Sequence, residues 1–235
     1  MKHRVGMLLL ILLGLPRFLS VHAQTKEADR LEAATRVFRE IMETPDHSLP
    51  ADLLARCECV AIIPSMKKGG FVFGGRYGKG VVSCRRDEGK GLWGPPAMIT
   101  LRGGSFGLQI GGAAVDVVML VMDREGVNSL LKNKFTLGGD ASVAAGPVGR
   151  AGAAQTDAYL KAKILSYSRS RGVFAGLELK GSSVRQDRDG NRALYSKPVG
   201  AKDLLMSGQE PIPRDAQPLI DVLTKYSPAR DKKPL

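Results

Sequence analysis

The chain has 235 residues, a formal net charge of +12 and three cysteines. This length is enough to bury one sizeable hydrophobic core, which indicates a single domain. Three cysteines exclude a disulfide framework, and the positive charge favours an anionic partner: a lipid surface, an anionic glycan or a nucleic acid.

The N-terminal segment, residues 1–23, is typical of a secretory signal peptide. Lys2 and Arg4 precede an apolar run over residues 5–15, and "VHA" at 21–23 is a candidate cleavage site. The apolar run is too short for a stable transmembrane helix, so the alternative, an uncleaved membrane tether, is less favoured. We therefore expect an exported protein, periplasmic or secreted. Loss of this segment lowers the net charge from +12 to +9, because it holds three basic and no acidic residues.

The next part, residues 24–56, has a helical pattern. Residues 25–43 place apolar side chains at helical spacing and charged side chains on the other face, which predicts an amphipathic helix. Thr25 is a candidate N-cap, and Pro45 should end the helix. A second short helix is predicted to begin near Pro50 and to include Leu54.

The central part, residues 57–200, is predicted to be rich in β-strands. A first short strand should end at Pro64, and Asp123 should cap a helix over residues 124–132. Further strand-like runs cover residues 70–84, 97–101, 105–122, 141–148, 162–168 and 173–184. Glycines within strands indicate bulges and strong curvature. The expected fold is therefore α+β, with a strongly curved, glycine-rich antiparallel sheet or partial barrel, the N-terminal amphipathic helix and flanking short helices.

The C-terminal part follows a predicted turn at "DRDGN", residues 187–191. Two short helical stretches are predicted over residues 201–206 and 215–226, and together they form a C-terminal helical part, residues 201–227. The tail, residues 228–235, has a composition typical of disorder. The prediction is thus one domain over residues 24–227.

The cysteines leave two interpretations open. Cys57 and Cys59 are two residues apart and would share one face of a strand. If that strand pairs with the strand that carries Cys84, a Cys59–Cys84 disulfide can form. The alternative is that all three thiols act as small core residues.

The glycine-rich stretch "KKGGFVFGGRYGKG", residues 67–80, resembles a phosphate-binding loop but fails its requirements. The spacing of a P-loop would need glycine at Phe73 and a hydroxyl residue at Gly80. A dinucleotide loop would lead into a helix, whereas Val81 and Val82 continue a strand pattern. The stretch therefore predicts a β-hairpin or bent strand pair, and no cofactor is expected.

Catalytic and metal-binding residues are not evident. His47 is the only histidine after residue 23 and lies in a linker, and one histidine with a C-x-C pair is too little for a zinc site. Asp116, within an apolar run, is either a perturbed catalytic acid or a structural acid paired with an arginine or with backbone amides, and we favour the second. We expect no metal, no catalytic residue and no enzymatic activity.

Basic residues concentrate in the strands and turns of the first half of the β-rich part. Hairpin tips project from a sheet, so several of these side chains could form one positive patch that attracts anionic lipid; the alternative is a solvated surface without a partner. The basic residues are Lys67, Lys68, Arg76, Lys79, Arg85, Arg86, Lys90 and Arg102. A nucleic acid partner is not expected, because exposed aromatic residues usually accompany such charges and the chain has one tryptophan.

Four long segments, in this order, resemble the SYLF domain family. They are "VAIIPSMKKGGFVFGGRYGKGVVSCR", "GGSFGLQIGGAAVDVVMLVM", "KFTLGGDASVAAGPVGR" and "SYSRSRGVFAGLELKGSSVRQD", the last followed by "NRALY". The resemblance spans residues 31–226 and marks the chain as an exported, bacterial-type member.

The resemblance implies a non-enzymatic α+β domain that binds acidic phospholipids, through phosphoinositide-like headgroups or an acidic membrane surface. Some eukaryotic members bind actin through an adjoining segment, but export argues against actin as a partner here. The predicted lipid-binding residues are Lys67, Lys68, Arg76 and Lys79, with Arg36 and Arg39 on the N-terminal helix. That helix either lies on the membrane or packs on the domain. We expect the protein to be peripherally associated with a membrane.

Two other functions stay open. One is an envelope hydrolase that acts on lipid esters and uses Asp116 or His47. The other is a structural or stress protein of the cell envelope, whose surface charge has no specific partner.

Overall fold

The computed structural model describes residues 25–44, 49–70, 73–106, 111–148, 161–170, 173–207 and 209–229. The strands in this part are β1 (Cys59–Gly70), β2 (Phe73–Cys84), β3 (Ala97–Phe106), β4 (Gly111–Val121), β5 (Lys134–Thr136), β6 (Val143–Ala145), β7 (Ile164–Ser170), β8 (Val173–Gly176) and β9 (Ser183–Gln186). The helices are α1 (Lys26–Glu43), α2 (Ala51–Arg56), α3 (Arg124–Leu130), α4 (Arg188–Tyr195) and α5 (Gln217–Tyr226), with a π-helical turn at Asp203–Ser207 and a 3-10 turn at Arg214–Ala216. The predicted signal peptide, His47, Pro45 and residues 230–235 lie outside the described residues.

The strands form one strongly curved, half-barrel sheet in the order β5-β9-β3-β2-β1-β4-β7-β6, with β8 paired to β7. Every strand pair among the described residues is antiparallel except β6–β7, which is parallel. The predicted α+β fold with a curved sheet is confirmed. The predicted strand over residues 173–184 is instead two strands, β8 and β9, which pair with different partners.

Both faces of the sheet are covered. Along β1, Val60 and Ile62 belong to a core beneath α1 and α5, whereas Cys59, Ala61 and Ile63 belong to a core on the opposite face, closed by α3 and β5. This alternation follows from the two-residue period of a strand. We call the face of the sheet that packs against α1 and α5 the helical face, and the other face the opposite face.

Helix α1 packs its apolar stripe against the sheet. Leu31, Phe38 and Ile41 have 0%, 0% and 1% of their surface exposed. Thr25 accepts a hydrogen bond from the backbone N–H of Ala28 at 3.1 Å, so the predicted N-cap is correct. Of the two arrangements left open for this helix, the structure shows packing on the domain.

Ion pairs hold both ends of α1 against the sheet. Arg30, near the N-terminus, lies 3.1 Å from the carboxylate of Asp187. Glu40, near the C-terminus, pairs with Arg169 of β7, and Arg169 also lies 3.0 Å from Asp116 of β4. Asp116 is therefore the structural acid that the sequence favoured.

Strand β1 does not end at Pro64, as the sequence predicted. It continues to Gly70 through an irregularity at which its pairing with β2 shifts between Ile62 and Lys67. Ser65 adopts a φ of 49° there, and its N–H donates to the side-chain carboxylate of Asp116 in β4 at 2.9 Å instead of to a backbone carbonyl. A bulge tolerates proline because it needs no ladder donor at that position.

The segment "DRDGN" is not a turn between strands but the start of α4. Asp187 caps this helix by accepting a hydrogen bond from the N–H of Gly190 at 3.2 Å. Asp123 caps α3 in the same way, through Gly126 at 2.8 Å, as predicted. The physical reason for the error is that the same Asp-Gly-Asn chemistry that suits turns also suits helix N-termini.

The cysteines lie at the end of the β1–β2 hairpin nearest α2. Cys59 and Cys84 are directly opposite each other in the pairing of β1 with β2, and a disulfide joins them. Cys57 is a buried thiol outside the disulfide, and it donates to the carbonyl of Leu54 at 3.2 Å.

Glycines in β2 give the bulge of β1 the space it needs. A Cβ at Gly80 would lie 2.2 Å from the carbonyl oxygen of Ile62, and a Cβ at Gly78 would lie 2.4 Å from Ile63. By contrast, a Cβ at Gly104 of β3 would meet nothing within 4 Å.

We predict that Gly80→Ala lowers the free energy of unfolding by about 3 kcal/mol, because its methyl group would overlap the backbone of β1. Gly104→Ala is the matched control, and its effect should stay below about 1 kcal/mol. Urea unfolding followed by circular dichroism measures both. Equal stability of the two variants would contradict the close approach of β1 and β2.

Candidate functional site

Beyond the bulge, the ends of the four central strands are largely exposed where the structure describes their side chains. We call these ends, residues 67–70, 73–77, 102–106 and 111–114, the distal sheet. They contain four basic residues, Lys67, Lys68, Arg76 and Arg102, and no acidic residue. The distal sheet therefore carries charge of a single sign.

Lys67, Tyr77 and Arg102 form one row across the distal sheet. Lys67 pairs with Tyr77 and with Ala114, and Tyr77 pairs with Arg102. Strand alternation places this row on the helical face, because Tyr77 is four residues from Val81, which lies in the core beneath α1. The guanidinium of Arg102 lies 5.1 Å from the centroid of the Tyr77 ring, a cation–π contact. All three side chains are exposed, Tyr77 to 41%.

Lys68 and Arg76 lie on the opposite face. They pair with each other, and Arg76 donates to the backbone carbonyl of Glu178 at 2.9 Å. Glu178 belongs to the segment between β8 and β9, which covers this side of the distal sheet. The two lysines of the "KK" pair are thus on different faces, and the predicted group of four basic residues is divided.

Lys79 is occupied by an internal ion pair. Its ammonium lies 2.9 Å from the carboxylate of Asp187, which also binds Arg30. Burial acts to raise the pKa of Asp187, but the hydrogen bonds from Lys79 and from the N–H of Gly190, with the charges of Lys79 and Arg30, outweigh it and lower this pKa below its ordinary value. Lys79 therefore supports the junction of α1 and α4.

Three other residues of the predicted basic patch lie at the far end of β2. Arg85 is buried, donates to the carbonyl of Ser227 at 3.0 Å and covers the Trp93 ring at 4.5 Å. Arg86 and Lys90 belong to the turn that follows. The eight basic residues therefore do not form one patch.

Arg36 and Arg39 lie on the outer surface of α1 and are exposed. Arg36 lies 3.7 Å from Glu32, in an exposed pair of the kind that contributes little to stability. Their role in lipid binding stays a prediction.

A row of glycines adjoins the Lys67 row on the helical face. Gly112, Gly69, Gly75 and Gly104 are aligned across four neighbouring strands. A Cβ at Gly104 or Gly112 would meet nothing within 4 Å, so the backbone here is open. The sequence analysis did not single out Tyr77 or this row, although each of the four strands carries a Gly-Gly pair that could have indicated it.

Metal and catalytic chemistry gain no support from the described ranges. No group of three or more His, Cys, Asp and Glu side chains is placed there to hold a metal ion. No helix among the same residues combines the length and the apolar character that crossing a membrane requires. Both oxygens of Asp116 are engaged, one by Ser65 and the other by Arg169.

These features define an α+β domain built on one curved sheet, with an exposed cationic row on its helical face. The family model described as Las17-binding protein actin regulator matches residues 102–226, more than half of the chain. The chain belongs to this family, which is the SYLF family that the sequence resembles.

Relatives share the domain but are longer proteins. The chain is 34% identical over 207 residues to LAS seventeen-binding protein 3 of Saccharomyces cerevisiae, covering 87% of this chain and 44% of the relative. It is 38% identical over 178 residues to an SH3 domain-containing protein of Schizosaccharomyces pombe, covering 74% and 40%. It is 33% identical over 204 residues to the human SH3 domain-containing YSC84-like protein 1, covering 86% and 58%. The chain therefore spans less than two thirds of each of these relatives.

We predict that Asp187→Asn lowers the free energy of unfolding by about 2 kcal/mol at pH 7, because two cations lose their charged partner. The folded-state pKa of Asp187 is lowered, so its stabilisation is present above the unfolded value of about 3.9 and is lost as the pH falls through the folded value. The difference between variant and parent should therefore shrink below pH 4 in urea unfolding.

The matched control is Asp189→Asn, because Asp189 is exposed two residues away on the same helix. It should unfold within about 0.5 kcal/mol of the parent. A difference for Asp187→Asn that stays constant between pH 7 and pH 2 would show that the lost charge is not the cause.

Proposed function

We propose that the protein binds anionic phospholipid at a membrane surface, without enzymatic activity, through the exposed row of Lys67, Tyr77 and Arg102. The observation that carries this proposal is that the distal sheet contains four basic and no acidic residues, and that its row of Lys67, Tyr77 and Arg102 is exposed. A positively charged surface attracts an anionic membrane, and each basic residue near the surface contributes about 1 kcal/mol.

Tyr77 adds an apolar contribution to this surface. Its ring is amphipathic, and such rings favour the boundary between headgroups and acyl chains. The glycine row beside it carries no side chains, so among the described residues no side chain keeps a headgroup from the backbone at Gly104 and Gly112. Lys68 and Arg76, on the opposite face, would contact headgroups only where the membrane wraps the edge of the distal sheet.

The buried stripe of α1 limits how the helix takes part. Inserting Leu31 and Phe38 into a bilayer would require the helix to leave the core, which costs the burial of those side chains. We therefore propose that α1 contributes through Arg36 and Arg39 on its outer surface, which lie on the same side of the sheet as Lys67.

We further propose that this binding occurs outside the cytoplasm, at an envelope membrane, because residues 1–23 have the pattern of an export signal. In that compartment the ligand would be any acidic phospholipid, and a phosphoinositide-like headgroup would be one example. Peripheral attachment fits this proposal, since the contact is electrostatic.

A protein partner is the alternative that the relatives favour, because one is named as a LAS seventeen-binding protein. That name describes a whole protein of which this chain covers 44%, so it does not assign the partner to the shared domain. An envelope hydrolase has less support, because Asp116 is held by Arg169 and Ser65.

We predict that the double variant Lys67→Gln/Arg102→Gln binds vesicles of phosphatidylcholine with 30% phosphatidylglycerol about 25-fold more weakly than the parent, at about fivefold per charge. Co-sedimentation at increasing lipid concentration measures this affinity. Raising the salt from 0.1 M to 0.5 M should weaken binding of the parent as well, because salt screens exposed charges.

The matched control is Lys202→Gln/Arg214→Gln, which removes the same charge from exposed positions outside the distal sheet. If affinity depends on where the charges lie and not on the net charge, this control should bind the vesicles within about twofold of the parent. Equal losses in the two double variants, or equal binding of the parent to pure phosphatidylcholine, would overturn the proposal.

A further inference from the structure

A cleft of about 510 Å³ lies at the other end of the sheet, between the segment that follows β2 and helix α5. This volume is within the range of about 300–1,000 Å³ that small-molecule sites occupy. Neither the cationic row nor the family relationship assigns it a role.

The walls of the cleft are largely apolar. They include Trp93, Ile212 and Ile220, and at the rim Leu92, which is 59% exposed. A ligand that covers this exposed leucine removes apolar surface from water, which stabilises the complex by about 25 cal/mol for each Å² buried. The cleft therefore favours an apolar ligand.

A cation lies within the apolar walls. The Nε of Arg86 is buried and has no hydrogen-bond partner in the part of the chain that the structure describes. A buried donor without a partner is unfavourable, and an anionic acceptor would offset this cost. Lys225 adds a second positive charge, and Asp221, the one carboxylate in the lining, is held by Gln217 at 2.8 Å. The net charge of the lining is positive.

The turn that carries Arg86 has a strained backbone. Asp87 and Glu88 have φ values of 51° and 56°, in the left-handed region that residues other than glycine rarely adopt. The N–H of Arg86 donates to the carbonyl of Leu92 at 2.9 Å, which closes the turn and brings the cation and the exposed leucine to one side. Such strain persists where the surroundings hold it, and it concentrates at ligand sites.

We infer that this cleft binds a medium-chain fatty acid, with the alkyl chain against Leu92, Ile212 and Ile220 and the carboxylate as acceptor for Arg86. The site is separate from the distal sheet, because residues 73–77 and residues 85–93 lie at and beyond opposite ends of β2. The protein would then hold an acyl chain at one end and a membrane surface at the other.

The chain's only tryptophan lines this cleft and reports on its occupation. Bromine quenches tryptophan fluorescence on contact, so the full-length protein is titrated with brominated dodecanoic acid below its micelle concentration. We expect saturable quenching with one ligand per chain, and recovery on addition of unbrominated dodecanoic acid. Brominated dodecanol of the same length should bind about tenfold more weakly, because it lacks the charge that pairs with Arg86.

Two variants test the contacts. Leu92→Asp should weaken binding of the acid at least about tenfold, because it puts a carboxylate at the apolar rim. Arg86→Gln should remove the preference for the acid over the alcohol. The matched control is Val173→Asp, which alters an equally apolar position that is 68% exposed in β8 and should not affect quenching. Leu92 is exposed, so its variant should fold even if the Arg86 variant does not.

Quenching that does not saturate, equal affinity for acid and alcohol, or unchanged binding by Leu92→Asp would overturn this inference. The Lys67→Gln/Arg102→Gln variant should quench like the parent, and Leu92→Asp should sediment with anionic vesicles like the parent. The two experiments therefore fail independently, and failure at the cleft does not alter the proposed membrane surface.

Discussion

The bulge of β1 at Pro64 and Ser65 is the constraint on which the rest of the sheet depends. The bulge gives β1 one residue more than the paired stretches of its neighbouring strands. The N–H of Ser65 makes no strand-to-strand backbone bond there and donates to the side chain of Asp116. Asp116 in turn binds Arg169, which pairs with Glu40 of α1. Gly78 and Gly80 of β2 have no side chains, which leaves room for Ile62 and Ile63 of the bulged strand β1. One irregularity thus links the curvature of the sheet to the seating of its main helix.

The same bulge decides which side chains reach which surface. Ile63 and Met66 both lie in the core of the opposite face, three residues apart, where a regular strand would alternate them. Lys67 therefore joins Tyr77 and Arg102 on the helical face, and Lys68 joins Arg76 on the other. Without the extra residue every side chain beyond Pro64 would exchange faces. The composition of the cationic row is a consequence of this register.

Strand β2 separates two surfaces of different chemistry. The first residues of β2 belong to the distal sheet, which is polar, glycine-rich and positive. The segment that follows the last residue of β2 lines an apolar cleft with a buried arginine nitrogen. Between them, ion pairs at the two ends of α1 close the helical face, and Lys79 is part of one pair. The basic residues that are close together in the sequence therefore lie in three places: the distal sheet, the junction of α1 and α4, and the cleft beside α5.

The sequence by itself determined the α+β class, the capped helices at residues 25–43 and 124–132 and the hairpin at residues 67–80, because periodicity, capping chemistry and glycine spacing are local. The predicted end of β1 was wrong, because a proline within a bulge resembles a proline that ends a strand. The predicted turn at residues 187–191 was wrong, because an aspartate that caps a helix resembles a turn residue. Only the tertiary structure decided that Lys79 pairs with Asp187, that Arg85 is buried, that Lys67 and Lys68 face apart, and that α1 is docked. The physical reason is that strand register and long-range ion pairs join residues far apart in the chain, such as Lys79 and Asp187.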